Sequence, residues 1–210
     1  MILRCFTNWN RQMAKLEVIT GPMFSGKSEE MIRRLRVAAF AERNLILIRP
    51  NLDKRPERNV FGLVETDPKL RGYSKLISRV VLSANDLNEI VSLHKPNVIG
   101  IDEVQFFPHD FLDLIINLLD QKKDDDFKII ASGLNLDAEG CPFGIMPELM
   151  ARADEITMLK AICTKCKSEG AIFTQKTAGS IKQVEIGGDK IYTVRCRKCF
   201  IRQSEIPLTS

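Results

Sequence analysis

The stretch Leu16-Glu17-Val18-Ile19-Thr20-Gly21-Pro22-Met23-Phe24-Ser25-Gly26-Lys27-Ser28 decides the fold. Its opening run is short, apolar and β-branched, which reads as a buried strand. The remainder fits G-x-x-x-x-G-K-[ST] at every fixed position. A helical pattern comes directly after it, through about Ala41, with Met31, Ile32, Leu35, Ala38 and Ala39 on one apolar face. Strand, glycine-rich turn and helix in that order build a phosphate cradle. The glycines let the backbone wrap closely around phosphate oxygens, and successive N–H groups and the helix N-terminus supply partial positive charge. Gly21, Pro22, Met23, Phe24, Ser25, Gly26, Lys27 and Ser28 are therefore expected to bind a nucleoside triphosphate such as ATP. Lys27 would reach the outer phosphates and Ser28 would offer its hydroxyl to Mg²⁺.

Outward from this loop, strands and helices alternate. Leu45–Ile48 reads as a second buried strand ended by Pro50, and residues 51–78 as a long polar connection. Val80–Leu82 suggests a short strand. Ser83 is expected to cap a helix over Ala84–His94, with Asp86 completing a capping box. Val98–Ile101 and Lys128–Ser132 read as further strands. Between them Asp110–Leu119 is apolar nearly all round, the pattern of a buried helix that can also meet another subunit. Such alternation predicts an α/β fold, a parallel P-loop (RecA-like) sheet flanked by helices. After about Cys163 the helical period stops and short β-like pieces appear. The expected organisation is an N-terminal extension at 1–14, a nucleotide-binding domain at 15–160 and a small cysteine-bearing domain at 161–210. Met13 is an alternative start to Met1.

The chain has 210 residues, 44% hydrophobic and 28% charged, with a net charge of +4. That suits a soluble domain with a sizeable core. The basic residues show only a short cluster at Arg33, Arg34 and Arg36. They form no stripe interleaved with aromatics, so a nucleic-acid partner is not expected. No apolar run is long enough to span a bilayer and no signal peptide is visible, so a cytoplasmic location is expected.

Two further constellations carry chemistry. The strand Val98–Ile101 ends in Asp102-Glu103. An apolar strand ending in an acid is the arrangement that holds Mg²⁺ in phosphate-loop enzymes, here by Asp102. Glu103, on a different face of the chain, is the expected general base. Asp53 and Arg55, after the second strand, are expected near the phosphates. Cys163-Thr164-Lys165-Cys166 and Cys196-Arg197-Lys198-Cys199 form two C-x-x-C knuckles. Four thiolates suit a closed, structural Zn²⁺ site. Six cysteines without an export signal favour metal over disulfides. Cys5 and Cys141 lie outside the pattern.

Taken together these residues resemble the type II thymidine kinases, over about Leu16 to Phe200. Gly21 to Ser28 is similar to that family's phosphate loop, and Ile101-Asp102-Glu103-Val104-Gln105-Phe106-Phe107 to its catalytic strand end. Pro142-Phe143-Gly144, Met146-Pro147-Glu148-Leu149, Ile186-Gly187-Gly188, Tyr192 and the cysteine knuckles also match. The resemblance implies ATP-dependent phosphorylation of the 5′-hydroxyl of a deoxynucleoside, thymidine foremost. It makes Glu103 the base and sets Gln105 with Asp102 on the nucleotide side. Met23, Phe106, Leu134, Phe143 and Thr174 would line the base pocket. Gln183, Val184, Glu185, Ile186, Gly187 and Tyr192 would contact substrate from a lasso between the knuckles. A homotetramer is implied, with inhibition by dTTP. The chain departs from the family at Ala138, where an aromatic residue is usual, and at Asn135, where Asp is usual. Residues 51–78 also lack a Ser/Thr-His-Asp-like stretch. These departures bear on the acceptor, and deoxyuridine or a modified deoxynucleoside is the alternative substrate. An alternative of another class is a zinc-containing ATPase or nucleotide-dependent binding module.

Overall fold

A strand that is apolar on both faces must be covered on both, and this requirement organises the chain. The computed structural model describes residues 13–51, 60–123, 126–176 and 191–202. Within them the order is β1 (Lys15–Thr20), α1 (Lys27–Phe40), β2 (Leu45–Pro50), α2 (Val60–Thr66), β3 (Leu76–Val81), α3 (Ala84–His94) and β4 (Val98–Ile101). Next come α4 (His109–Gln121), β5 (Lys128–Gly133), α5 (Met146–Ala151), β6 (Glu155–Met158), β7 (Ala171–Lys176) and β8 (Tyr192–Cys196). Strands β1 to β6 form one sheet in the order β3-β2-β4-β5-β1-β6, and every neighbouring pair is parallel.

Alternation along the strands divides the core in two. Leu16, Val18, Ile46, Ile48, Ile99 and Ile101 face one way and meet α3 and α4 through Leu87, Val91, Phe111, Leu112 and Ile115. Ile19, Leu45, Leu47, Val98 and Ile130 face the other way and meet α1 and α2 through Met31, Ile32, Leu35, Val60 and Val64. The all-round apolar character of α4 reflects its depth. Phe111, Leu112, Leu114, Ile115 and Leu118 are buried, and Ile116 and Leu119 pack partly against the same core.

The expected capping box is present. Ser83 Oγ accepts from the Asp86 N–H, and the Asp86 carboxylate accepts from the Ser83 N–H. Two expectations need correction. Residues 51–78 are not one irregular connection: α2 lies within them, burying Val60 and Val64 one turn apart. The strand expected at Val80–Leu82 is β3, beginning at Leu76 and pairing with β2 from Leu45 onward. Its side chains are mostly half-exposed at the sheet edge, which blurs the alternation. The polar edge strand β6 is hidden in the sequence for the same reason.

The order of the sheet places the site. β4, β5 and β1 are adjacent, with Ile101 opposite Ala131 and Thr20 opposite Gly133. The segments leaving these three strands therefore emerge side by side: the glycine-rich loop after β1, Asp102-Glu103 after β4 and Leu134 after β5. Ligands bind at this carboxyl end of parallel sheets. Beyond β6 the chain forms a separate antiparallel pair, β7 with β8.

Candidate active site and cysteine cluster

The loop after β1 is tied down by its own side chains. Ser25 Oγ donates to the Pro22 carbonyl at 2.8 Å and Lys27 Nζ to the same carbonyl at 2.7 Å. Gly21 has φ +145°, and a Cβ there would stand 2.4 Å from the Leu159 carbonyl oxygen, so only glycine fits between the loop and the end of β6. Gly26 takes the left-handed conformation that starts α1. The first-turn N–H groups of α1 and the Lys27 ammonium together put positive charge at this loop, which suits a polyphosphate.

At the end of β4, Asp102 is buried and its N–H donates to the Ile48 carbonyl at 2.9 Å. Burial, with the neighbouring Glu103 charge adding to it and Lys27 opposing, pushes its carboxyl up to about 7. A carboxylate that resists ionising alone is ready to accept a cation. Its carboxylate oxygens are of the hard kind that Mg²⁺ prefers. Glu103 adopts a left-handed backbone, φ 53° and ψ 43°, which costs a non-glycine residue about 1 kcal/mol. This bend starts a single 3₁₀ turn over Val104–Phe106 and leaves Glu103 partly exposed beside buried Asp102.

Several of the residues expected around a base are joined in pairs. Phe106 and Phe143 meet edge to face at 5.5 Å. The Leu134 N–H donates to Gln105 Oε1 at 3.0 Å. The Met23 N–H, in the phosphate loop, donates to Thr174 Oγ1 on β7 at 2.9 Å. Tyr192 opens β8 and pairs with Lys176. Asn135 accepts the Phe143 N–H through its carbonyl, closing the loop that carries Ala138. Asp53 and Arg55, and the lasso residues Gln183, Val184, Glu185, Ile186 and Gly187, lie outside the described residues.

Two contacts escape a reading of the sequence. One is the bond from Met23 to Thr174, which ties the phosphate loop to the β7–β8 pair. The other is the role of Gln105: it is buried, and its side chain bonds Glu103 and Leu134 within the protein. The glycines at 133 and 144 are the available signal, since each leaves space at Gln105.

The four knuckle cysteines converge. Their sulfur atoms all lie within 4.8 Å of one another, and Cys166 Sγ to Cys196 Sγ is 3.6 Å. A tetrahedral Zn²⁺ with sulfur ligands at about 2.3 Å has sulfur–sulfur edges of about 3.8 Å, so the donor set fits zinc. N–H groups of Cys166, Cys196 and Lys165 hold the Cys163 thiol down at about 6, against some burial. Burial and the neighbouring sulfurs push that of Cys199 up to about 12. Four sulfurs this close ionise together only around a cation. The apolar cluster beneath them is small: Ala161, Cys163, Ala171, Val194 and Cys199, with Met23 and Cys196 against it.

The profile of a family described as thymidine kinase matches residues 14–200. A thymidine kinase of Mycoplasma mobile is 37% identical over 90% of this chain and 88% of its own length. One from Coprothermobacter proteolyticus is 40% identical over 86% of this chain and 87% of its own. A third, from Thermococcus kodakarensis, is 38% identical over 87% and 92%.

Proposed function

The chain belongs to the thymidine kinase family, and on that premise we propose that it transfers the γ-phosphate of ATP to the 5′-hydroxyl of a deoxynucleoside, thymidine before any other. The observation that carries this reading is that the glycine-rich loop and Asp102-Glu103 leave the same carboxyl end of the sheet, from strands on either side of β5. A triphosphate held on residues 21–28 has its outer end toward the strand that bears both acids.

Each residue then has a task. The backbone of residues 21–28 and the Lys27 ammonium hold the phosphates and stabilise charge on the transferring group. Ser28 and Asp102 would hold Mg²⁺, which when bound neutralises phosphate charge. Glu103 accepts the proton of the 5′-hydroxyl as that oxygen attacks phosphorus in line. Phe106, Phe143, Leu134, Met23 and Thr174 enclose the base. Tyr192 and residues 183–187 close over it, and Asp53 and Arg55 assist at the phosphates. The cysteines would hold a structural Zn²⁺ that anchors β7 and β8. The family resemblance extends the proposal to a cytoplasmic homotetramer without nucleic-acid or membrane partners. Among the described residues no helix is long and apolar enough to cross a membrane.

A panel of deoxynucleosides incubated with Mg·ATP tests the reading. Thymidine should yield its monophosphate with the highest kcat/KM. Glu103→Gln should lower kcat by about 10²–10⁴ while ATP still binds. ATP hydrolysis driven by single-stranded DNA, with no nucleoside phosphorylated, would overturn it.

A further inference from the structure

We propose that Gln105 is a positioning residue for the reaction, holding the Glu103 carboxylate in the orientation in which it takes the hydroxyl proton. The inference rests on Glu103 being the base. Gln105 Nε2 donates to Glu103 Oε2 at 2.6 Å, and Gln105 Oε1 accepts the Leu134 N–H at 3.0 Å. The second bond makes the first directional. A side-chain amide has one acceptor and one donor end. The Leu134 N–H can face only the acceptor, so the donor end is turned toward Glu103 and the amide cannot flip without losing both bonds.

The surroundings fit residue 105 closely, at its side-chain amide from Gly133 and at its backbone from Gly144. Gln105 is 3% exposed. A Cβ on Gly133 would stand 2.4 Å from Gln105 Oε1, and a Cβ on Gly144 would stand 2.1 Å from the Gln105 carbonyl oxygen. At Gly144 the neighbour is backbone and a side chain does not fit, while a side chain at Gly133 would push the Gln105 amide aside. The end of β5 and the turn before α5 are thus both cut close to fit residue 105. Glu103, by contrast, is partly exposed and sits on a bent backbone. A fixed donor at Oε2 narrows the orientations that a long carboxylate can take there. The donor is also neutral. An Arg or Lys there would orient the carboxylate as well, but its charge would stabilise the ionised form and weaken it as a base.

The test compares three variants by steady-state kinetics with thymidine and ATP, with zinc-replete protein and melting temperature measured alongside. Gln105→Glu keeps an oxygen for the Leu134 N–H and replaces the donor facing Glu103 by an acceptor. Gln105→Met removes both bonds at similar volume. Glu103→Gln is the control for the premise. We expect Gln105→Glu to lower kcat by about 10- to 100-fold, the scale of a misplaced reacting group. KM for ATP should stay within about threefold, and melting should fall by only a few degrees, as loss of a buried hydrogen bond does. Gln105→Met should show the same split. If Glu103→Gln retains kcat, the premise fails and the proposal with it. If Glu103→Gln is inactive but the residue-105 variants keep kcat, Gln105 positions nothing. If they raise KM for ATP at unchanged kcat, Gln105 is a nucleotide contact. Failure of both residue-105 variants to fold would make the residue structural, and that too overturns the proposal.

Discussion

The two sheets of this chain are held by different physics. The six-stranded sheet buries apolar side chains on both faces, from Leu16 to Ile130, beneath four of the helices. The β7–β8 region buries a handful of small residues, two of them cysteines, and one ring, Phe173, stacked on Phe200. A two-stranded hairpin is marginal in water at best. The first region needs no ligand to account for its stability. The second has a core too small for that, and four sulfurs placed where one ion can join them. The two regions should therefore fail under different insults.

The largest effect should come from the cysteines. A structural zinc contributes about 10–16 kcal/mol of apparent binding energy at neutral pH. Cys166→Ala should lose the metal by elemental analysis and lower thymidine phosphorylation by roughly 100-fold. ATP binding should weaken by no more than the severalfold that goes with loss of the Met23–Thr174 bond, and the far-ultraviolet signature of the parallel sheet should persist. If the whole chain unfolds, the two regions are one cooperative unit and the contrast is wrong. The complementary insult is Phe111→Ala, which removes a fully buried ring stacked on Phe107 at 3.9 Å. It should cost about 3–5 kcal/mol of global stability in denaturant titration, with zinc content unchanged. Loss of zinc at the same denaturant midpoint as loss of helix would show coupling instead.

Legibility in the sequence divides along the same line. The long apolar strands, the phosphate loop and the Ser83 capping box are readable because each depends on neighbours a few positions away. The cysteine knuckles are readable because metal ligands are few in kind. Short elements at the edges are not. In β6, Glu155 and Thr157 break any apolar run, and α2 has only Val60 and Val64 to mark its buried face. The bonds from Gln105 to Leu134 and from Met23 to Thr174 join positions distant in sequence. No local pattern announces them. Glu17 is another such case, an acid inside an apolar strand whose partners lie on α1 and β5.

That acid gives a smaller, pH-dependent test within the larger region. Arg34 bonds Glu17 at 2.6 Å and Glu30 at 2.9 Å, and also reaches Thr157 and Glu155 on β6. Burial raises the Glu17 carboxyl, but Lys128 and Arg34 outweigh it and leave it below its ordinary value. Glu30 is held at about 2, chiefly by its bond to Arg33 and further by Arg34. Depressed carboxyls stabilise the folded state above their unfolded pKa, and the contribution is lost as pH falls through the folded value. Arg34→Met should therefore cost roughly 2–3 kcal/mol at pH 7, less than a fully buried pair because the cluster is partly solvated. The difference from the parent should shrink between pH about 4.5 and about 2. A difference independent of pH over that window would mean that Arg34 acts through packing. Zinc content should not change.

The smallest effect belongs to a bond that joins the two regions. Thr174 Oγ1 accepts the Met23 N–H at 2.9 Å, and Thr174 is buried on β7. Thr174→Val keeps the shape and removes the acceptor, leaving a donor of the phosphate loop without that partner. Such a loss costs about 1–3 kcal/mol, which for a chain of this length lowers the melting temperature by about 2–4 °C per kcal/mol. Because the bond spans both regions, its loss should appear in both. KM for ATP should rise severalfold, since the loop that carries Met23 is less firmly held, and KM for thymidine should rise with it. Zinc should stay bound, because no cysteine is disturbed. Thr174→Ser restores a hydroxyl at the same Cβ and should recover most of the loss in both constants. If Thr174→Val raises only the thymidine KM, the residue lines the base pocket without steadying the phosphate loop. If Ser fails to rescue, the lost methyl packing matters more than the hydrogen bond.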